Sequence, residues 1–169
     1  MTITTINEIL DSILGKNSEL HAHLERTAMY TFALAKALKL EPAQMEAAYF
    51  AGFLHEIGKV EINSDDHVFV GSSMIKFIED LKYLSNDVKH QLEKWDGTGY
   101  PAGMKQDTIP LISRILAVAC DYDHMRHEKQ MTHEEVVEEL KKGSGIKYDP
   151  SMINPFVDII EKEDLVNLD

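Results

Sequence analysis

The sequence predicts a single all-α domain spanning residues 1–169, and three observations support this. Apolar residues recur at helical spacing along most of the chain, and no stretch of strand length alternates with a period of two. The 44% hydrophobic and 27% charged composition is typical of a globular protein, and 169 residues suffice for one core. Two segments, 47–54 and 109–122, are apolar nearly all round, so we expect their helices to be central.

Capping residues and helix breakers set the expected helix boundaries. Pro42 suits the first turn of one helix, and Thr132 with Glu135 forms a capping box for another. Asp65 or Asp66 can cap the helix that begins near residue 67, and Pro155 should bend the last helix. In chain order, the predicted helices cover residues 3–14, 18–38, 42–54, 67–80, 85–92, 109–122, 132–143 and 150 onward.

The charge balance and the apolar runs exclude two kinds of partner. The formal net charge is −12, which opposes binding to a phosphate backbone, so we expect no nucleic-acid partner. No apolar run approaches the ~20 residues of a membrane span, and the N-terminus lacks the pattern of a secretion signal. We therefore expect no membrane contact and a cytoplasmic location. The single cysteine, Cys120, is either a buried small hydrophobe or a ligand.

Two adjacent polar residues, His55 and Glu56, close the otherwise apolar helix 42–54. A buried carboxylate costs several kcal/mol unless it is paired or bound to a metal. Either a partner therefore compensates Glu56, or His55 is a hydrogen-bonded core histidine and Glu56 emerges at the surface. The residue pattern alone leaves both interpretations open.

A loop with a fixed shape follows, in the segment HQLEKWDGTGYPAG at residues 90–103. Three glycines and a proline set its backbone, and loops of this kind often carry function. The loop resembles the signature of the HD-GYP family, and the order of polar residues along residues 20–160 is similar to that family's pattern. The matching loop residues are Glu93, Trp95, Asp96, Gly97, Gly99, Tyr100 and Pro101.

The resemblance implies an all-α HD-domain bundle in which histidines and aspartates hold two or three iron or manganese ions. Those metals activate a water that attacks a phosphodiester of cyclic di-GMP. By resemblance the metal ligands here are His23, His55, Glu56 (in place of an aspartate), His67 and Cys120 (also in place of an aspartate). Gln91 and Leu92 stand where the family has two further histidine ligands.

The implied losses fall on one metal position more than on the other. The first keeps two histidines, a carboxylate and a thiol, a set able to bind Zn²⁺ or Fe²⁺. The second keeps only Glu56 and His67, since Leu92 cannot coordinate and Gln91 is a weak neutral ligand. The sequence thus predicts at most one divalent ion (iron, manganese or zinc), or none, and argues against two-metal hydrolysis.

Three functions are consistent with this interpretation. The favoured one is a degenerate, non-catalytic HD-GYP domain that binds a protein partner or a nucleotide such as a cyclic dinucleotide. The alternatives are a single-metal phosphohydrolase acting on cyclic di-GMP or another nucleotide, and a structural role such as a dimerising subunit. Lys59 is a candidate catalytic group and Arg114 a candidate ligand contact. The Gly-Tyr-Pro loop is either a platform for a partner or ligand, or a feature kept for packing; the sequence names no partner and no oligomeric state.

Overall fold

The computed structural model describes residues 18–162, so the predicted helix at 3–14 lies outside the described residues. Within the described part the chain forms helices and turns, with one isolated bridge between Ser144 and Tyr148. The predicted all-α fold is confirmed. Across residues 18–162, no helix is long and apolar enough to cross a membrane.

The described part of the chain contains seven α-helices. In order, α1 to α7 are Ser18–Ala37, Pro42–Leu54, His67–Lys76, Ser85–Lys89, Leu111–Asp123, His133–Lys142 and Pro150–Lys162. Short 3₁₀ turns lie at Ile57–Val60, Lys82–Leu84 and Gln106–Thr108. A π-helical turn, His124–Glu128, continues α5 directly and was not predicted.

Helices α2 and α5 are central, as the sequence predicts. From Ala47 to Leu54 every side chain of α2 except the half-buried Tyr49 is buried. α1 packs along α2 and also contacts α5. Gly52 permits this close approach, because a Cβ atom there would lie 2.4 Å from Cα of Ala28 on α1. Each of the three helices therefore contacts the other two, and the polar ends of α2 and α5 lie beside α1.

Two predicted helices end earlier than expected. α3 ends at Lys76 rather than near residue 80, because a series of turns there brings Leu81 and Leu84 into the core. α4 ends at Lys89 rather than at residue 92, and the amide of Gln91 donates back to the carbonyl of Val88, at 3.0 Å. That bond satisfies a carbonyl left open at the helix end.

The predicted caps fare differently. Thr132 and Glu135 form the expected capping box, with the amide of Thr132 donating to Oε2 of Glu135 at 2.8 Å. Asp66 occupies the N-cap position of α3, but its side chain makes no capping hydrogen bond and instead accepts one from the hydroxyl of Tyr100. α7 continues through Pro155.

Candidate metal centre

Four residues far apart in sequence meet at the ends of α2 and α5. His23 comes from α1, His55 and Glu56 follow the end of α2, and Cys120 comes from α5. Nε2 of His23 lies 3.2 Å from Nε2 of His55, 3.6 Å from Oε2 of Glu56 and 3.9 Å from Sγ of Cys120. The predicted convergence of these residues is confirmed.

A fifth residue, His124, joins this cluster from the π-helical turn. Its ring stacks on that of His23 at 4.4 Å, and its Nε2 lies 3.5 Å from Oε1 of Glu56. One ligand atom from each of His23, Glu56, Cys120 and His124 lies within 4.8 Å of all the others. The sequence analysis missed His124, although its spacing of four residues from Cys120 places both on one helix face.

The hydrogen bonds of the two buried histidines fix their tautomers. Nδ1 of His55 faces the carbonyl oxygen of Gly52 at 2.8 Å, and Nδ1 of His23 faces Oδ2 of Asp123 at 2.6 Å. Asp123 also accepts two hydrogen bonds from Arg26, at 2.6 and 2.9 Å. Both acceptors lack a proton, so each histidine donates from Nδ1 and points its Nε2 atom inward.

The Nε2 atoms of His23 and His55 lie 3.2 Å apart, next to the carboxylate of Glu56 and the thiol of Cys120. A divalent cation bound there would use Nε2 lone pairs that neutral imidazoles offer. The donor set also suits a metal, since two imidazoles, a carboxylate and a thiol are ligands for Zn²⁺ or Fe²⁺. The residues present thus fit one divalent ion.

The protonation states follow from burial and from the neighbouring charges. Burial lowers the pKa of His55 to about 3, so this imidazole is neutral. Burial alone would raise the pKa of Glu56, but the interactions with His124, His55, His23 and Lys59 hold it well below its usual range. Burial, reinforced by Glu56, raises the pKa of the Cys120 thiol well above its usual range, so without a cation the thiol stays protonated.

Glu56 is therefore a buried, ionised carboxylate. Its side chain is only 6% exposed, and Nζ of Lys59 lies 2.5 Å from Oε1. The interpretation in which Glu56 emerges at the surface is wrong, because these partners offset the cost of its burial. The interaction with Glu56 in turn raises the pKa of His124.

The remaining predicted ligand, His67, lies outside the group formed by His23, Glu56, Cys120 and His124. Its Nδ1 faces the carbonyl oxygen of Ser64 at 2.8 Å, and its buried Nε2 has no hydrogen-bond partner among the described residues. Gln91 turns its amide nitrogen to the carbonyl oxygen of His55, at 2.5 Å, as well as to Val88. Leu92 lines a cavity of about 470 Å³ that Cys120 also reaches.

A larger cavity, of about 860 Å³, opens on the other side of the centre. Its lining includes His23 and Glu56 together with Arg26, Lys59 and Asp123. The side chain of Lys59 is 27% exposed, so its ammonium group is reachable from this cavity while it pairs with Glu56.

The Gly-Tyr-Pro loop is held by a buried carboxylate. Glu93 accepts hydrogen bonds from the amides of Ala102, at 2.7 Å, and Met104, at 3.0 Å. Gly99 passes so close to the preceding chain that a Cβ atom would lie 2.2 Å from the amide nitrogen of Lys94. Gly97 has a φ of +87°, which favours glycine. These residues give the loop its shape.

Three further loop candidates have structural partners. The peptide bond between Tyr100 and Pro101 is cis, and the Tyr100 ring meets the half-exposed Phe69 edge-on at 5.9 Å. Asp96 accepts two hydrogen bonds from Thr98, at 2.9 and 2.7 Å. Arg114 donates to Oδ2 of Asp149 at 2.7 Å and lies 5.9 Å from the centre of the Trp95 ring.

The structure is a helical bundle whose central helices end in converging histidines, a carboxylate and a thiol, a group of side chains that could hold a metal ion. The sequence profile of the HD domain family matches residues 8–152. The chain belongs to the HD domain family.

Relatives and solved structures agree with this assignment. The chain is 30% identical to a probable cyclic di-GMP phosphodiesterase of Vibrio cholerae, over 90% of its own length and 43% of that protein. It is 29% identical to a cyclic di-GMP phosphodiesterase of Thermotoga maritima, over 88% of its length and 46% of that protein. The chain thus spans less than half of these two relatives.

Two crystal-structure neighbours support the fold alone, because their identities are low. A cyclic GMP-AMP specific phosphodiesterase of V. cholerae superposes with a TM-score of 0.76 at 18% identity, covering 96% of this chain and 49% of that one. An HDG"Y"P protein from Bdellovibrio bacteriovorus superposes with a TM-score of 0.73 at 16% sequence identity. The match covers 94% of this chain and 59% of that one.

Proposed function

We propose that this chain is an HD-GYP-like domain that keeps one metal position, has lost the second, and acts as a regulatory binding module without phosphodiesterase activity. The observation that carries the proposal is that neither residue 91 nor residue 92 can serve as a metal ligand. The side-chain amide nitrogen of Gln91 donates to two backbone carbonyls, and Leu92 has no atom that could coordinate a metal.

The loss matters because a second cation is an efficient way to offset charge on a phosphodiester under attack. A bound divalent ion would lower the pKa of a water ligand and neutralise phosphate charge. Lys59 lies at the cavity wall and could supply part of that charge, but its Nζ lies 2.5 Å from Oε1 of Glu56 and is already paired. The residues present therefore support binding of an anionic group better than its hydrolysis.

Two features support the kind of ligand and partner that we propose. The relatives named above carry cyclic di-GMP in their names, and the 860 Å³ cavity is large enough for a nucleotide-sized ligand. Arg26 and Lys59 lie at the cavity wall, where each is paired with a carboxylate, so a phosphate group would have to compete with Asp123 and Glu56 for them. For a protein partner, the rigid Gly-Tyr-Pro loop presents Tyr100 beside Phe69, which is 40% exposed.

The test is a graded hydrolysis assay with cyclic di-GMP, under oxygen-free conditions with Fe²⁺ or Mn²⁺. Wild type should show negligible turnover, and Gln91→His with Leu92→His should remain nearly inactive, since Glu56 places its carboxylate one methylene too far. Misplacement on this scale costs about a hundredfold in rate. Adding Glu56→Asp and Cys120→Asp should raise turnover, and equilibrium dialysis of the wild type should show binding of the uncleaved dinucleotide.

Substantial wild-type turnover that His55→Ala abolishes would reject this proposal. It would support the second candidate, a single-metal phosphohydrolase. The observation that favours this candidate is the cavity itself, because it opens directly onto His23, Glu56 and Lys59. Elemental analysis of the purified protein, run beside the assay, should find no more than one transition metal per chain.

A further inference from the structure

The surroundings of His124 resemble those of His23 more than those of a surface histidine. Nδ1 of His23 faces the buried carboxylate of Asp123, and Nδ1 of His124 lies 2.7 Å from Oε1 of the exposed Glu128, although the angle at that contact is not one of a hydrogen bond. In each case the Nε2 atom is left to point at Glu56, at 3.6 Å from His23 and 3.5 Å from His124. A carboxylate behind the ring and an inward Nε2 is the usual arrangement of a metal-binding histidine.

The helix that carries Cys120 also explains how His124 reaches the cluster. Cys120 and His124 are four residues apart, so they lie on one face of the α5 helix and its continuation. The continuation is a π-helical turn, a local widening that occurs often at functional sites. Sγ of Cys120 and Nε2 of His124 therefore approach Glu56 and His23 from the same side.

We propose that one metal ion is bound by His23, Glu56, Cys120 and His124 together, as a closed four-ligand centre that includes a thiolate. This inference rests on the one-metal function proposed above and adds a ligand, His124, that the family resemblance does not supply. The competing set has His55 in place of His124, and the two sets share the other three ligands.

The chemistry of the four donors specifies the metal and the role of the centre. A set of two imidazoles, one carboxylate and one thiolate favours Zn²⁺ over the harder Mn²⁺. Four protein ligands complete the tetrahedral coordination that zinc adopts in structural sites, whereas catalytic zinc sites keep a position open for water. The centre would then stabilise the junction of α1, α2 and α5 and would hold no activated water.

Cobalt(II) replaces zinc in such sites and reports its ligands by absorption, so it is the probe. Metal-free wild-type protein titrated with Co²⁺ should bind one ion, with intense visible bands of tetrahedral cobalt and a near-ultraviolet band from thiolate to cobalt. Cys120→Ser should remove the near-ultraviolet band. His124→Ala should weaken Co²⁺ and Zn²⁺ binding at least tenfold, and His124→Gln, which keeps the size of the side chain, should act in the same direction.

The matched control is His21→Ala, a histidine on α1 that lies 3.7 Å from Glu25 and outside the four-ligand group. It should bind Co²⁺ like the wild type, and His55→Ala should weaken binding less than His124→Ala does. The inference is overturned if saturated wild type shows no thiolate band. It is also overturned if both His124 variants bind normally while His55→Ala loses the ion.

These outcomes are separate from those of the function proposed above. Hydrolysis of cyclic di-GMP by the wild type would reject the binding-module function while the cobalt spectrum still reported the ligands. If a variant lacking Cys120 or His124 gave the same Co²⁺ spectrum as the wild type, the proposed ligand set would be rejected, whether or not the protein hydrolysed cyclic di-GMP.

Discussion

Glu56 illustrates, at the scale of one residue, how an unfavourable burial marks a site. The carboxylate is ionised while 6% exposed, and it is offset by Lys59, His124 and the inward-facing His23. The residue pattern left open whether a partner compensates this group or whether it emerges at the surface, and only the structure shows its partners. The sequence could not identify His124 as a partner, since that contact depends on how α5 lies against α2.

Asp87 on α4 is a half-buried acid, and it makes stability depend on pH. Burial raises its pKa to about 6 from an ordinary value of 3.8, so the folded state favours the protonated form. The folded protein should therefore lose stability as the pH rises from about 4 to about 6, where the unfolded chain is already ionised. Above that range the ionised carboxylate destabilises the folded state by an amount that no longer changes with pH.

We expect Asp87→Asn to raise the free energy of unfolding at pH 7.5 by about 1–2 kcal/mol. The full pKa shift of Asp87, at roughly 1.4 kcal/mol per pKa unit, would give a larger gain in the free energy of unfolding. We expect the smaller value because the side chain keeps partial contact with water. The gain should vanish at pH 4. Urea unfolding at the two pH values measures it, with the exposed Asp80→Asn as control. An equal effect at both pH values would show that ionisation is not the cause.

At the scale of elements, the sequence predicted which helices form better than it predicted where they end. α2 and α5 were correctly predicted to be central, because an element without a polar face has to be buried on all sides. The ends of α3 and α4 were wrong by three to four residues, since the turns that replace the predicted helical residues are stabilised by tertiary contacts of Leu81, Leu84 and Gln91. The π-helical turn at His124–Glu128 has no signal in the local pattern.

The Gly-Tyr-Pro loop offers a test of how one side chain holds an element. Glu93→Gln should loosen the loop, since an amide presents a donor to one of the two backbone N–H groups, of Ala102 and Met104, that the carboxylate accepts. Losing one of these part-buried hydrogen bonds costs about 0.5–1.5 kcal/mol. Hydrogen exchange at the amides of Ala102 and Met104 should then be faster.

The control for the loop is Asp96→Asn, at an exposed residue whose side-chain hydrogen bonds stay within its own turn. Its exchange rates at Ala102 and Met104 should match those of the wild type. Unchanged exchange in Glu93→Gln would mean that the glycines and the packing of Tyr100 hold the loop without the carboxylate.

At the scale of the whole molecule, the candidate metal centre draws its residues from three helices that are distant in sequence. His23 lies on α1, Glu56 follows α2, and Cys120 lies on α5, so an ion bound to all three would bridge the centre of the bundle. The sequence predicted this convergence from the family resemblance and from two apolar helices that each end in polar residues. The distances that make it a candidate site required the fold.

Binding of an ion there should stabilise the entire domain, because the ligands come together only in the folded state. At a free Zn²⁺ concentration of 100 times Kd the gain is about 2.7 kcal/mol, and each kcal/mol raises the Tm of a chain of this size by about 2–4 °C. We therefore expect Zn²⁺ to raise Tm by about 5–10 °C over metal-free protein. His23→Ala, which removes a ligand common to both candidate sets, should abolish the shift, whereas His21→Ala should retain it. A bound ion that left Tm unchanged in calorimetry would mean that the ion does not bridge these helices.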